Sequence, residues 1–342
     1  MIYKWLPVFA ALFFVACGED TPSGSSGSQE PKEPFKVVLE NDSIKAILGS
    51  DHFKLVIRDD DEEIIRLFEY DAGKFSQKVL VDDMDVYHPT FSPDGKKVAF
   101  SSAYEGAPFS SSLYVVDVDN PEKIDTLDVE SAAVPRWYVT PDGDTTIVYI
   151  DYTGDDTSEG WFSSATWRVT YAGGKFGKPE KVVDYSYNGG VAFDNSFVAT
   201  GGSRLYFHRL EDDKDVVEER YGDQQVCNVS VSRDSTRLIS FLETAGKVGR
   251  AFTHDDSGIW HHFVFYEDET GAIVKAIEAF GDKVFDHVEW LAGVPMQVGI
   301  ISSSKVEQYY QVAVIDYSRS KVHLLLESDR ISMWHPDLWI DR

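Results

Sequence analysis

From residue 35 onward the chain is a series of short runs in which apolar and polar positions alternate. "FKLVIRD" (Phe53–Asp59), "KKVAFSS", "SLYVVDVD", "TTIVYIDY", "SRLYFHRL", "TRLISFL", "HHFVFYED" and "QYYQVAVIDY" share this pattern and are rich in β-branched and aromatic residues. Such runs suit a pleated sheet, where successive side chains point to opposite faces. Each is bounded by Asp, Gly, Asn or Ser, residues that turn a chain by accepting unusual backbone angles or bonding their own backbone. No window of 12 or more residues carries a helical period. The pattern predicts an all-β protein.

The runs repeat. "SPDGKKVAF" (Ser92–Phe100) returns as "TPDGDTTIVYI" (Thr140–Ile150), then in weaker form as "AFDNSFVAT" (Ala192–Thr200) and "SRDSTRLISF" (Ser232–Phe241). Their turn residues Asp94, Asp142, Asp194 and Asp234 stand 48, 52 and 40 positions apart. "VEWLAGVPMQVGII" (Val288–Ile301) keeps the hairpin, with Gly293 at the turn. A third and a fourth strand follow each hairpin. Four strands in about 40–50 residues make one blade of a β-propeller. Blade starts near His88, Arg136, Asn188, Asn228, His287 and His335 give six. The final segment "SMWHPDLWIDR" has room for one strand, so it is expected to complete the N-terminal blade and leave no open sheet edge.

The stretch "HPTFSPDGKKVAFSS…SLYVVDVD" closely resembles the WD40-like repeat of the TolB family of periplasmic propellers. "FKLVIRDDDEEIIRL" and "YQVAVIDYSRSKVHLL" match its third-strand signature in part, and the remaining blades have drifted. The resemblance implies a six-bladed propeller over roughly residues 43–342 and a place in the cell envelope. It implies little about activity, because this repeat serves many functions.

Counting six residues back from each turn places His88, Arg136, Asn188, Asn228 and His287 at one equivalent position. His335 joins them by aligning "WHPDLW" with "YHPTFS". A ring of polar side chains at the channel mouth can take a ligand, an ion or an inserted segment of a partner. Polar residues are also what a wet channel requires without any ligand. Tyr87, Trp137 and Trp290 lie beside the ring in sequence and are candidates for apolar contact. No metal and no cofactor is expected, since no His-x-His or His-x₃-His spacing supports one. "RDDDEE" (Arg58–Glu63) reads as a solvated turn between a third and a fourth strand. There is no G-x-S-x-G nucleophile elbow, no phosphate-binding loop and no cysteine pair for zinc, so no catalytic residue is assigned.

Two terminal features and the charge refine this reading. Lys4 precedes the apolar run Trp5–Ala16, too short to span a bilayer and suited to a signal peptide. The run ends at "FVAC", which resembles a bacterial lipobox, and this implies cleavage before Cys17 and lipidation of its thiol. The expected organisation is a signal peptide over 1–16, a Ser/Gly/Glu-rich tether over 17–34 and a propeller over 35–342. Cys227 is the other cysteine, so a lipidated Cys17 leaves no disulfide within the chain, and Cys227 reads as a small buried hydrophobe. Lys plus Arg is 32 against 58 Asp plus Glu, a net charge of −26 that repels nucleic acid and anionic membrane.

The expected protein is a monomeric, lipid-anchored propeller in the bacterial envelope, in the outer membrane, facing the periplasm or the surface. It would be a non-enzymatic module that binds an envelope protein through its channel mouth and loops. The alternative is a carbohydrate-binding protein or a metal-dependent enzyme resembling polysaccharide lyases, with Tyr87, Trp137, Trp290 and Trp334 stacking on sugars.

Overall fold

The computed structural model describes residues 35–103, 111–129, 131–151, 164–184, 188–201, 204–211, 214–221, 226–243, 261–303 and 311–342. Cys17, the signal-like segment and the tether lie outside the described residues. Among the described residues no helix is long and apolar enough to cross a membrane.

The alternating runs fold as expected, into six antiparallel sheets of four main strands each. Blade 1 consists, from the channel outward, of Met333–Ile340, His52–Asp59, Ile64–Asp71 and Lys74–Val81. The C-terminal strand thus completes the N-terminal blade, pairing Leu338 with Leu55 and Trp334 with Arg58. Blade 2 is Tyr87–Phe91, Lys97–Ser101, Leu113–Asp117 and Ile124–Leu127. The innermost strands of blades 3 to 6 are Ala133–Val139, Asn188–Val191, Val226–Val231 and Lys283–Trp290. Each innermost strand packs beside the next and the sixth beside the first, so the ring is closed.

A second closure was not foreseen. Phe35–Val37 pairs with Lys321–Ser328 on the outer edge of blade 6. The helix Asn41–Leu48 follows, ending at Gly49 in the left-handed conformation (φ 76°). Its buried face, Ile44 and Leu48, enters the core shared by blades 6 and 1 with Phe53, Val298 and Leu338. Burying two such side chains contributes roughly 1.5–3 kcal/mol each. The N-terminal segment therefore ties blade 6 to blade 1, while the C-terminal strand closes the ring within blade 1.

The hydrophobic cores lie between blades. Val56, Ile65 and Leu67 of blade 1 pack against Phe91, Val98 and Phe100 of blade 2. The Ser-Pro-Asp-Gly turn of blade 2 is held by blade 1. Trp339 Nε1 donates to Pro93 O (3.1 Å) and Lys54 Nζ to Gly95 O (3.2 Å). Gly95 is left-handed (φ 65°), and a Cβ there would stand 2.3 Å from the Trp339 ring. This turn needs glycine for two reasons, backbone angle and close approach.

One turn sits elsewhere in the blade than expected. The Arg58–Glu63 turn joins the second and third strands of blade 1, because the C-terminal strand takes first place. It is also less solvated at its start, since Arg58 is buried and Asp59 receives Arg66 Nε at 2.7 Å. Cys227 is half-buried against the core of blades 5 and 6.

Candidate functional site at the channel mouth

The six-fold position predicted from the turns is a backbone feature. In five blades the innermost strand carries a bulge at the equivalent position. The ladder breaks between Tyr87 and Thr90, Ala133 and Arg136, Cys227 and Ser230, Asp286 and Glu289, and Trp334 and Asp337. The first bulged residue is left-handed every time: His88 (51°), Val134 (52°), Asn228 (49°), His287 (44°) and His335 (47°). Left-handed angles cost a β-branched residue most, yet Val134 adopts them. The fold imposes the bulge, and the residue placed on it is the free choice.

This register corrects one member of the predicted ring. Arg136 pairs with Val148, and Val134–Pro135 occupies the bulge of blade 3. The hairpin of blade 3 is longer before its turn, pairing Val139 with Thr145 and closing through Thr140 N to Asp144 O (2.9 Å). Counting back six from Asp142 therefore lands two residues past Val134, the first bulged residue. Arg136 belongs to a second layer with Thr90, Ser230, Glu289 and Asp337. In blade 4 the ladder shifts between Asn188 and Gly190. Asn188 opens that strand, and its side chain lies outside what the structure describes.

The upper layer gathers three imidazoles from consecutive blades. His335 of blade 1 lies between His88 of blade 2 (ring centroids 3.8 Å) and His287 of blade 6 (4.1 Å). One ring nitrogen from each falls within 4.8 Å of the other two. Next along the arc, Asn228 Oδ1 accepts the Val288 N–H at 2.6 Å. His88 and His335 are both buried, at 8% exposure. Burial holds the His335 imidazole well below its ordinary pKa, and His88, His287, Arg58 and Arg136 add to the effect. His335 is therefore neutral at physiological pH.

The lower layer is ionic. Arg136 Nε lies 3.1 and 3.0 Å from the two Glu289 oxygens, and Nη2 closes the fork. Ser230 Oγ donates to the same carboxylate at 2.9 Å. Burial pushes the Glu289 pKa up, but Arg136, Arg233 and Ser230 outweigh it and hold it below the ordinary range. Asp337 accepts Thr90 Oγ1 (2.9 Å) and the Phe91 N–H (2.6 Å). Its burial prevails and raises its pKa. Residues of both layers, with Arg233 from the blade 5 turn, line one open cavity. Sequence reasoning missed Glu289, Asp337 and Arg233. The repeat alignment held the first two, two residues beyond the predicted ring.

The aromatic expectation fails for two residues. Trp137 and Trp290 are about 1% and 0% exposed and sit between blades. Each donates its indole N–H to the preceding blade, Trp137 to Thr90 O (3.1 Å) and Trp290 to Ser230 O (3.2 Å). Their large apolar faces fill the interblade core, so they offer nothing to a ligand. Tyr87 is half-buried beneath the Arg58 guanidinium, 4.3 Å from its ring centre. Among the described residues Trp334 lies beside the ring, half-buried, with its ring 4.8 Å from that of His287.

Fold and site together define a six-bladed β-propeller with a polar channel, its mouth rich in imidazole and its interior crossed by an ion pair. No family model and no curated protein matches the sequence. Solved structures match the fold. TolB from Acinetobacter baumannii is 13% identical over 87% of this chain and 70% of its own (TM-score 0.51). A protein assigned as TolB from Agrobacterium tumefaciens is 14% identical over 83% and 91% (TM-score 0.52). A puromycin-hydrolysing peptidase from Mycobacterium tuberculosis is 12% identical over 86% of this chain but 45% of its own (TM-score 0.50). At these identities the likeness is one of fold.

Proposed function

We propose that this chain is a lipid-anchored propeller of the bacterial cell envelope that binds another protein at the mouth of its channel. The carrying observation is the mouth itself. Four consecutive blades set Asn228, His287, His335 and His88 on one arc, with Trp334 beside His287. A rigid scaffold holding an aromatic and several hydrogen-bonding groups at a concave rim is the usual composition of a recognition site. The fold likeness to TolB and the signal-like run ending at Cys17 support the envelope location. The peptidase resemblance covers less than half of that enzyme, so it supports a shared propeller and not a shared reaction.

The test places a photo-crosslinking amino acid at Trp334 and, as a control, at Val216, which is 52% exposed on an outer strand. In living cells of the source, a discrete protein adduct from position 334 and none from 216 is expected. Identical adduct patterns at both positions, or none at either, would overturn the proposal. A Cys17→Ser chain that still partitions with membranes would overturn the anchor.

A further inference from the structure

We infer that His88, His287 and His335 bind a single transition-metal ion of the zinc class. This goes beyond the binding-module reading and does not rest on it.

Three imidazoles on consecutive blades converge because each occupies the same left-handed bulge. One nitrogen from each lies within 4.8 Å of the others. Metal–nitrogen bonds of about 2.0–2.1 Å require nitrogens roughly 3.3 Å apart, so on binding the three rings would turn their nitrogens inward and move apart from their 3.8 and 4.1 Å centroid separations. Among the described residues neither ring nitrogen of His335 has a hydrogen-bond partner, although the residue is only 8% exposed. Buried polar atoms are ordinarily satisfied, so an unpartnered imidazole between two others points to a ligand.

The surroundings fit as well. His287 Nε2 lies 3.4 Å from Asp286 Oδ1. A carboxylate on one ring nitrogen orients the other toward a metal, an arrangement common in imidazole sites. Arg58 and Arg136, the cations that act on His335, are each paired with a carboxylate, Asp60 and Glu289, which offsets part of their charge. Three nitrogen donors with no carboxylate among them select zinc, cobalt, nickel or copper over magnesium and calcium. With three protein ligands the ion keeps an open position, and the adjoining cavity gives an outside ligand access to it. The sequence places the three histidines on one ring, and ring closure brings His335 of blade 1 to within 3.8 and 4.1 Å of the other two rings.

The test uses the full chain without a histidine tag, stripped with chelator and titrated with Zn²⁺ and Co²⁺. One equivalent per chain is expected, with the visible spectrum of low-coordinate cobalt and a raised Tm. Calcium and magnesium should do nothing at the same concentrations. His335→Ala and His287→Ala should each weaken zinc binding at least ~100-fold, and Asp286→Asn ~10–100-fold. His52→Ala, at an exposed site on blade 1, should change nothing. If His335→Ala does not fold by circular dichroism, His287→Ala at the less buried rim decides. No binding at one equivalent, or equal affinity in folded ligand variants and wild type, would overturn the assignment.

Discussion

Arg136 of blade 3 grips Glu289 of blade 6, so an ion pair joins opposite walls of the channel. Its members are 12% and 18% exposed, and one fork satisfies most of the guanidinium. Removing one partner of such a pair strands the other charge away from water. Arg136→Met or Glu289→Met alone should cost about 3–5 kcal/mol, whereas both together should come within about 1–2 kcal/mol of wild type. Urea unfolding followed by tryptophan fluorescence measures all four corners of the cycle. Additive losses would show that the pair is not coupled across the channel.

The turns of blades 2 and 3 separate two costs that usually arrive together. Gly95 and Gly143 are both left-handed, at 65° and 89°. A Cβ on Gly95 meets the Trp339 ring, and a Cβ on Gly143 meets nothing within 4 Å among the described residues. Gly143→Ala should therefore cost only the backbone part, about 1–2 kcal/mol. Gly95→Ala should cost that plus about 1–3 kcal/mol for overlap with a packed ring. Thermal unfolding of the two variants gives the difference directly. Equal losses would mean that Trp339 yields freely.

These turns also show what the sequence could reveal. Ser92 Oγ bonds Asp94 (2.7 Å) and the Gly95 N–H returns to Ser92 O (2.9 Å), so the motif's chemistry is local and can be read as text. Alternation gave the sheets, and the lone C-terminal strand gave the closure, for the same reason. Arg136 was misplaced because a longer hairpin in blade 3 shifts the bulge relative to the turn, and no residue type announces that shift. Trp137 and Trp290 were misread because a strand residue's neighbours in the next blade are invisible to a one-dimensional pattern. The ring position of the three histidines was legible in the repeat, but their close approach was not, because it depends on three bulges meeting across blades.

Acid should weaken the fold through Asp316 of blade 6. Its side chain is fully buried. Burial pushes its carboxyl up, but Ser318 Oγ (2.6 Å), the Arg319 N–H (2.9 Å) and the Arg319 guanidinium (2.8 Å) outweigh this and lower its pKa. A carboxyl whose pKa is lower folded than unfolded stabilises above the unfolded value, near 4, and loses that stability as pH falls through the folded value. Asp316→Asn should cost about 1–3 kcal/mol at pH 7 and flatten the decline between about pH 5 and pH 2. Chemical denaturation across that range tests it. A variant with the wild-type slope would remove Asp316 from the acid response.

The seam between blades 1 and 2 should be the ring's most sensitive joint, and Asp337 should set its strength. One Asp337 oxygen binds both the Thr90 hydroxyl and the Phe91 N–H, and the other accepts the Leu338 N–H at 3.0 Å. Those contacts tie the closing strand to a neighbour with which it shares no ladder. Asp337→Ala leaves a buried Phe91 N–H unpaired and should cost about 1–3 kcal/mol. Thr90→Val keeps that N–H satisfied and should cost about 1 kcal/mol or less. The larger loss should be local before it is global: amides of His52–Asp59, which pair with the closing strand, should exchange faster in Asp337→Ala. Hydrogen exchange that accelerates evenly over all six blades would show instead that the ring opens only as a whole, with no weak seam.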